Sequence, residues 1–389
     1  MTTRPVAFSR TVTGRDPSTG ESVAVTIDGG LITEVKSSPA APGPWISAGL
    51  VDLQVNGYGG HDVNSAIATP DTVSAMVTAL YSVGVTTVVP TLVTSSFEHT
   101  DAALRVIAAA LEDEFTRDAI PFVHLEGPYI SSETGPRGVH DQQWIRPPDL
   151  EEFRLLQEAS GGIIGMVTLS PHYPEAVDFT KALVHDSIRV SIGHTHADHA
   201  EIIRTIEAGA TLSTHLGNGA HQMLSRHPNY IWSQLADDRL LACFIADGHH
   251  LPTETLTAMI RAKGVDHSIL VSDATALAGA EPGEYDQPVG GPVTLDGDGR
   301  LSHSGSSLLA GAAAGLSRGV AVAASVTGLG LAQALQMASQ NPAHVVGRSG
   351  LLAVGERADI IRFVWEPNDV QLNIVETLVA GRTVYEADV

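Results

Sequence analysis

The chain has 389 residues, of which 43 % are hydrophobic and 5 % aromatic, with a formal net charge of −22 at pH 7. That length exceeds what one core usually fills, so a large α/β barrel with a smaller attached domain fits it. The acidity argues against nucleic acid as a partner, because phosphate backbones need Lys and Arg footprints, and equally against an anionic membrane surface.

The chain opens on MTTRPVAFSRTVTG, which has no apolar signal core, and no later run approaches ~18 uninterrupted apolar residues. A soluble cytoplasmic protein is expected. Residues 1–48 read as short strands: AVTIDGGLITEV is a hairpin around Asp28-Gly29-Gly30, and the Pro-rich SSPAAPGPW follows as a linker. From residue 49 the pattern changes to short apolar strands alternating with amphipathic helices, the signature of a parallel sheet built from βα units. Eight strands are expected: GLVDLQV (49–55), GVTTVVP (84–90), PFVHLE (121–126), GIIGMVTL (162–169), IRVSIGH (188–194), ATLSTH (210–215), LACFIAD (241–247) and HSILVSD (267–273). Eight suffice to close a TIM-like (β/α)8 barrel. DTVSAMVTALYSV and EIIRTIEAGA are two of the helices between them, and LLAGAAAGLSRGVAVAA and GLGLAQALQMAS read as further helices after residue 305. The closing segments GERADIIRFVW and ETLVAGRTVYEADV alternate as strands again. The expected organisation is therefore a barrel over 49–349 and a small β-sandwich domain formed by 1–48 and 350–389. The single cysteine, Cys243, lies inside a barrel strand; it excludes an intramolecular disulfide and reads as a buried, inert thiol.

Barrel enzymes carry their reactive groups where strands end. Here Glu126 closes the third expected strand, His194 the fifth, His215 the sixth and Asp273 the eighth, and Asp247, His249 and His250 follow the seventh. Carboxylate and imidazole suit Zn²⁺ or a similar divalent ion, and three protein ligands leave a position open for water. A single His or Glu at a strand end is usually a hydrogen-bonded loop residue, and Asp273 alone could cap the next helix. The recurrence at equivalent positions of several strands is the stronger signal.

The motifs HLEGPYI, GPRGVHD, SIGHTHAD, THLGNGAH, IADGHH and LVSDATA, in this order, resemble the amidohydrolase superfamily and, within it, the N-acetylglucosamine-6-phosphate deacetylases. The resemblance spans nearly the whole chain. It implies one divalent metal ion per subunit, zinc foremost with Fe, Co, Mn or Ni as substitutes, held by Glu126, His194 and His215. It implies that Asp273 takes a proton from the attacking water and passes it to the leaving amine, and that His140 helps polarise the amide carbonyl. It further implies that His250 contacts the substrate and that Asn218 and Arg226 hold the sugar phosphate, with Arg226 reaching the neighbouring active site of a homodimer; Gly219, beside Asn218, allows a close backbone approach and so a backbone-amide anion cradle. Many amidohydrolases carry H-x-H on the first strand and bind two metals. This chain has Gln54-Val55-Asn56 there, and neither amide is a good ligand for a second zinc.

The sequence departs from the family pattern after His215, where Gly217-Asn218-Gly219-Ala220-His221 replaces an aromatic followed by Asn-Ala-Met. It departs again at Arg226-His227-Pro228-Asn229-Tyr230, with Trp232 close behind. These two aromatics either add bulk near the sugar pocket or pack the next helix. His196 and His199 fall on the turn and helix after His194 and read as supporting or surface residues. His249 and His250 are adjacent in extended chain, so they point to opposite sides and do not chelate one ion together. Two other readings stand beside the deacetylase: a cyclic-amide hydrolase, disfavoured by the missing H-x-H and strand-end lysine, and a catalytically silent barrel used for binding.

Overall fold

The structure is a computed structural model that describes residues 9–39, 43–287, 291–305 and 308–388. Part of the Pro-rich linker and the first eight residues lie outside the described residues.

All eight expected barrel strands are present: Leu50–Val55, Val85–Val93, Val123–Glu126, Ile164–Leu169, Arg189–Ile192, Leu212–Ser213, Leu241–Ile245 and Ser268–Val271. They pair in sequence order as an eight-stranded parallel sheet. The first and eighth close the ring. Asp273 N–H donates to Gln54 O at 3.0 Å, Asn56 N–H donates to Ala274 O at 2.8 Å, and Val55 bridges Ala274. Alternation then decides what fills the centre. Val51, Leu53, Val89, Phe122, Met166, Leu212, Cys243, Ile245, Ile269 and Val271 form one apolar cluster. Two residues on along the same faces stand Thr91, His124, Thr168 and Thr214, a buried polar layer in which His124 Nε2 meets Thr168 Oγ1 and Thr168 Oγ1 meets Thr214 Oγ1, both at 2.7 Å. Glu126 and Asp273 continue this inward series. Cys243 is free and buried, and burial pushes its thiol up to about 12, as an inert thiol requires.

The helices follow the expected periodicity. Pro70–Tyr81 buries Val73, Met76, Val77, Leu80 and Tyr81, a stripe at helical spacing, and Thr69 caps it together with Thr72. His199–Glu207 buries Ile202, Thr205 and Ile206 behind a capping box of Asp198 and Glu201. After the barrel come Leu316–Val326, Leu331–Ala338 and the short Gln340–Val345; the first starts later than the expected LLAGAAAGLSRGVAVAA, whose residues 308–315 are not helical.

The two chain ends meet in one seven-stranded sheet ordered Arg382–Glu386, Asn373–Val379, Ile360–Val364, Trp45–Ala48, Arg10–Arg15, Ser22–Asp28 and Leu31–Ser37. Its two halves share a core in which Val12, Val25, Ile27 and Ile32 pack with Ala358, Ile360 and Leu378. Hydrogen bonds from Ala358 N–H to Gly30 O and from Ile32 N–H to Glu356 O draw the halves together.

Asp52 helps close the barrel, since its Oδ1 accepts from Ser272 N–H at 3.1 Å. Its Oδ2 is buried without a partner. Burial pushes this carboxyl up to about 7, so its stabilising contribution is complete below the ordinary aspartate range and is lost as pH rises through about 7. Asp52→Asn keeps the acceptor and removes the charge. Its stability relative to the unsubstituted protein should rise between pH 4 and pH 8 by up to about 4 kcal/mol, which denaturant titration at the two pH values measures.

The sequence pattern missed two small sheets, the pair Gly57–Tyr58 and His61–Asp62 and a larger one after the barrel. Gly283–Gln287, Gly291–Leu295 and Leu301–His303 form a three-stranded antiparallel sheet between the eighth strand and the final helices. Its outward residues are polar and Gly- and Pro-rich, which hides the alternation. The signal available was Asp296-Gly297-Asp298-Gly299, a turn between two short alternating runs.

Candidate active site

The strands stop slightly earlier than the apolar pattern suggests. Glu126 is the last residue of its strand, whereas His194, His215 and Asp273 each lie two residues beyond theirs. The reason is backbone conformation. These three have φ of +48°, +26° and +52°, and they are three of the six non-glycine residues with positive φ among the described residues. A positive φ ends the ladder and costs energy in a residue with a Cβ. Here it turns each side chain over the mouth of the barrel.

The result is a tight cluster. Glu126 Oε1 lies 3.1 Å from His194 Nε2 and 2.9 Å from His215 Nε2, and the two imidazole nitrogens are 3.1 Å apart. All three side chains are buried. His194 Nδ1 donates to Pro136 O at 2.7 Å, which leaves the Nε2 lone pair facing the cluster. His215 Nδ1 is buried without a partner. One oxygen and two nitrogen donors at this spacing fit a single divalent cation bound tetrahedrally with one position open. Glu126, His140 and His194 also offer ligand atoms within 4.8 Å of one another. His140 differs from His194 in that its Nδ1 is paired with a side-chain hydroxyl, Thr94 Oγ1 at 2.9 Å, rather than with a carbonyl. Although burial pushes Glu126 up, the adjoining His194 and His215 imidazoles hold it well below the usual carboxylate range.

Gln54 and Asn56 occupy the place of the missing H-x-H. Gln54 Nε2 donates to Glu126 Oε1 at 2.9 Å and to Asp273 Oδ1 at 3.1 Å, and Asn56 Nδ2 donates to Asp273 Oδ1 at 2.8 Å. Both amides thus present N–H groups to the carboxylates. Burial and then the Glu126 charge push Asp273 up to about 6, against the opposing influence of His215, His250 and Asn56. Burial and the neighbouring His194 push His140 down to about 3, so it is a neutral imidazole.

Asn56, Glu126, His140, His194, His215 and Asp273 line a cavity of about 680 Å³ that also takes in Asn218, Gly219, His221 and His250. The missed three-stranded sheet and its flank contribute Gln287, His303 and Leu308. Asp247, singled out only as a neighbour in the sequence, orients His250: Oδ2 meets His250 Nδ1 at 2.7 Å, and Oδ1 accepts both the His249 and His250 N–H. Burial raises the Asp247 carboxyl, but these bonds outweigh it and hold it at about 2. His249 turns away from the cavity to Asp298 O at 3.2 Å, beside Arg318. His196 bonds to Ser131 and His199 to Ser233, so neither joins the cluster.

The recognition loop is arranged differently from expectation. Arg226 is exposed and is not on the cavity wall of its own chain. Tyr230 is buried, and its hydroxyl accepts the His221 N–H at 2.8 Å, whereas Trp232 is 53 % exposed on the helix Tyr230–Leu235. Tyr230 therefore holds the loop, and Trp232 adds no bulk to the cavity. Gly219 lies against the His194 ring: a Cβ there would come within 2.7 Å of Nδ1, and its φ is +56°. Gly219→Ala should displace His194 and weaken metal affinity by at least about 10-fold, measured by competition with a chromogenic chelator.

A model of the amidohydrolase family matches residues 45–384. The chain is 32 % identical over 385 residues to the N-acetylgalactosamine-6-phosphate deacetylase of Shewanella sp. (strain ANA-3), covering 95 % of this chain and 93 % of that one. It is 31 % identical over 320 residues to the N-acetylglucosamine-6-phosphate deacetylase of Bacillus subtilis (strain 168), covering 80 % and 79 %. The crystal structure of N-acetyl-D-glucosamine-6-phosphate deacetylase from Mycobacterium smegmatis superimposes with a TM-score of 0.86 at 26 % identity, covering 96 % of this chain and all (100 %) of that one. That from Pasteurella multocida gives 0.85 at 29 % identity, covering 97 % and 99 %.

Proposed function

The chain belongs to the amidohydrolase family, and on that premise we propose that it hydrolyses the acetamide of N-acetylglucosamine 6-phosphate, or of a close amino-sugar relative, to the amino-sugar phosphate and acetate. The observation that carries this reading is the Glu126–His194–His215 cluster, linked through Gln54 to a buried Asp273 that is poised as a base. A divalent metal, zinc foremost, held by these three side chains would acidify a water and polarise the amide carbonyl.

The protein groups supply the rest. Asp273 accepts a proton from the water as its oxygen attacks the acetyl carbon, then delivers it to the amine nitrogen as the C–N bond breaks. Gln54 and Asn56 aim the carboxylate by donating to Oδ1. His140 would donate to the substrate carbonyl from Nε2 when its Nδ1 accepts from the Thr94 hydroxyl 2.9 Å away. His250, fixed by Asp247, leaves Nε2 for a sugar hydroxyl. Asn218 and Gly219 lie on the wall where the sugar phosphate would rest. We propose further that the protein works in the cytoplasm as a homodimer in which Arg226 of each subunit serves its neighbour's cavity. Among the described residues no helix is long and apolar enough to cross a membrane.

Acetate release from N-acetylglucosamine and N-acetylgalactosamine, each with and without a 6-phosphate, tests the reading. Turnover of at least one phosphorylated sugar is expected. Turnover of none, with cyclic amides hydrolysed instead, would replace it.

A further inference from the structure

Arg137 is the one Lys or Arg side chain among the described residues that line the cavity. The sequence motif GPRGVHD contains it, but none of the roles above uses it. Its backbone is fixed by the metal-ligand shell. Pro136, before it, gives its carbonyl to His194 Nδ1, and Gly138, after it, lies where a Cβ would sit 3.4 Å from His194 Cε1. Ser131 N–H donates to His194 O, and Arg137 N–H donates to Glu133 O, both at 2.9 Å. The guanidinium is therefore carried on an anchored rim.

That guanidinium is under-used. Nη1 donates to Gln142 Oε1 at 3.2 Å, and Nε is buried without a partner. Its neighbour Glu133 is engaged by His221 at 2.9 Å instead. Elsewhere Arg10, Arg146, Arg348, Arg357 and Arg362 all meet carboxylates. A chain of net charge −22 has no shortage of such partners, so an arginine on the cavity lining that pairs with no carboxylate points to a ligand that brings the anion.

We propose that Arg137 binds the phosphomonoester of the sugar substrate from within the same chain; this rests on the deacetylase reading above. The planar guanidinium matches two phosphate oxygens at once. A phosphate dianion entering a cavity already lined by Glu126, Asp273 and Asp62 needs a local counter-charge, and Arg226 does not provide it from its own chain. Each chain therefore carries its own anion recognition, to which a neighbour's Arg226 can add.

The test compares the metal-loaded protein with Arg137→Ala and Arg137→Lys on N-acetylglucosamine with and without 6-phosphate. Arg137→Ala should lower kcat/KM for the phosphorylated sugar roughly 10- to 100-fold more than for the plain sugar, mainly through KM, and Arg137→Lys should recover part of the loss. An equal loss on both sugars, or no loss, overturns the proposal. Should the unsubstituted protein release acetate from neither sugar, the deacetylase reading fails, and calorimetric titration with inorganic phosphate decides the role of Arg137 separately. Binding that weakens at least about 10-fold in Arg137→Ala upholds the anion site; absent or unchanged binding overturns it.

Discussion

Replacing Asp273 by Asn should lower kcat for acetate release by about 10²- to 10⁴-fold, the range expected when a positioned proton acceptor is lost, while bound metal stays at its original level. The substitution is nearly isosteric. Its carboxamide oxygen can still accept from Gln54 Nε2 and Asn56 Nδ2, which now meet Asp273 Oδ1 at 3.1 and 2.8 Å. Fold and metal site are thereby preserved, and the proton acceptor alone is removed. The pH profile offers a second readout. Asp273 must be ionised to act, so activity falls as pH drops through its pKa. Burial and Glu126 push that pKa up to about 6, and a bound cation pulls it down again. The acidic limb of the wild-type profile should lie at or below about 6 and should be absent from whatever activity Asp273→Asn retains. Full activity in Asp273→Asn would remove the proton-transfer role assigned to this residue.

The second large effect concerns the metal. Glu126→Gln keeps the shape of the side chain but removes the charge that sits 3.1 and 2.9 Å from the two imidazoles. A neutral amide is a poor zinc ligand, so metal affinity should fall by more than about 100-fold, and acetate release should fall with it. Chelation of the unsubstituted protein should give the same loss, and added zinc should restore activity only where Glu126 is intact. Stability provides an independent check. A ligand that binds only the folded chain raises its unfolding temperature, so zinc should raise the melting point of the metal-stripped protein and leave that of Glu126→Gln nearly unmoved.

Much of this was legible in the sequence because the barrel makes its pattern local. The eight strands are apolar, short and separated by helices with clear periodicity, and all eight occur in the expected order. Residues at strand ends then converge whatever their separation in the chain, which is how Glu126, His194 and His215 come within 3.1 Å across as many as 89 positions. What the sequence concealed depends on side chains reaching across loops. Asp247 as the partner of His250, Thr94 as the partner of His140 and the Pro136 carbonyl on His194 have no periodicity to betray them. Gln54 and Asn56 read only as absent ligands, although each donates to Asp273. Gly219 read as a phosphate contact, yet its closest neighbour is the His194 ring. Arg226 drew attention through the resemblance, whereas among the described residues the arginine on the cavity lining is Arg137.

On the proposed reading, a single metal held by Glu126, His194 and His215 would support amide hydrolysis. Titrating metal-stripped protein with zinc while following acetate release from N-acetylglucosamine 6-phosphate tests it most directly. Activity should rise linearly and reach its plateau at one equivalent per chain. A plateau only at two equivalents, or acetate release that ignores added metal, would contradict it.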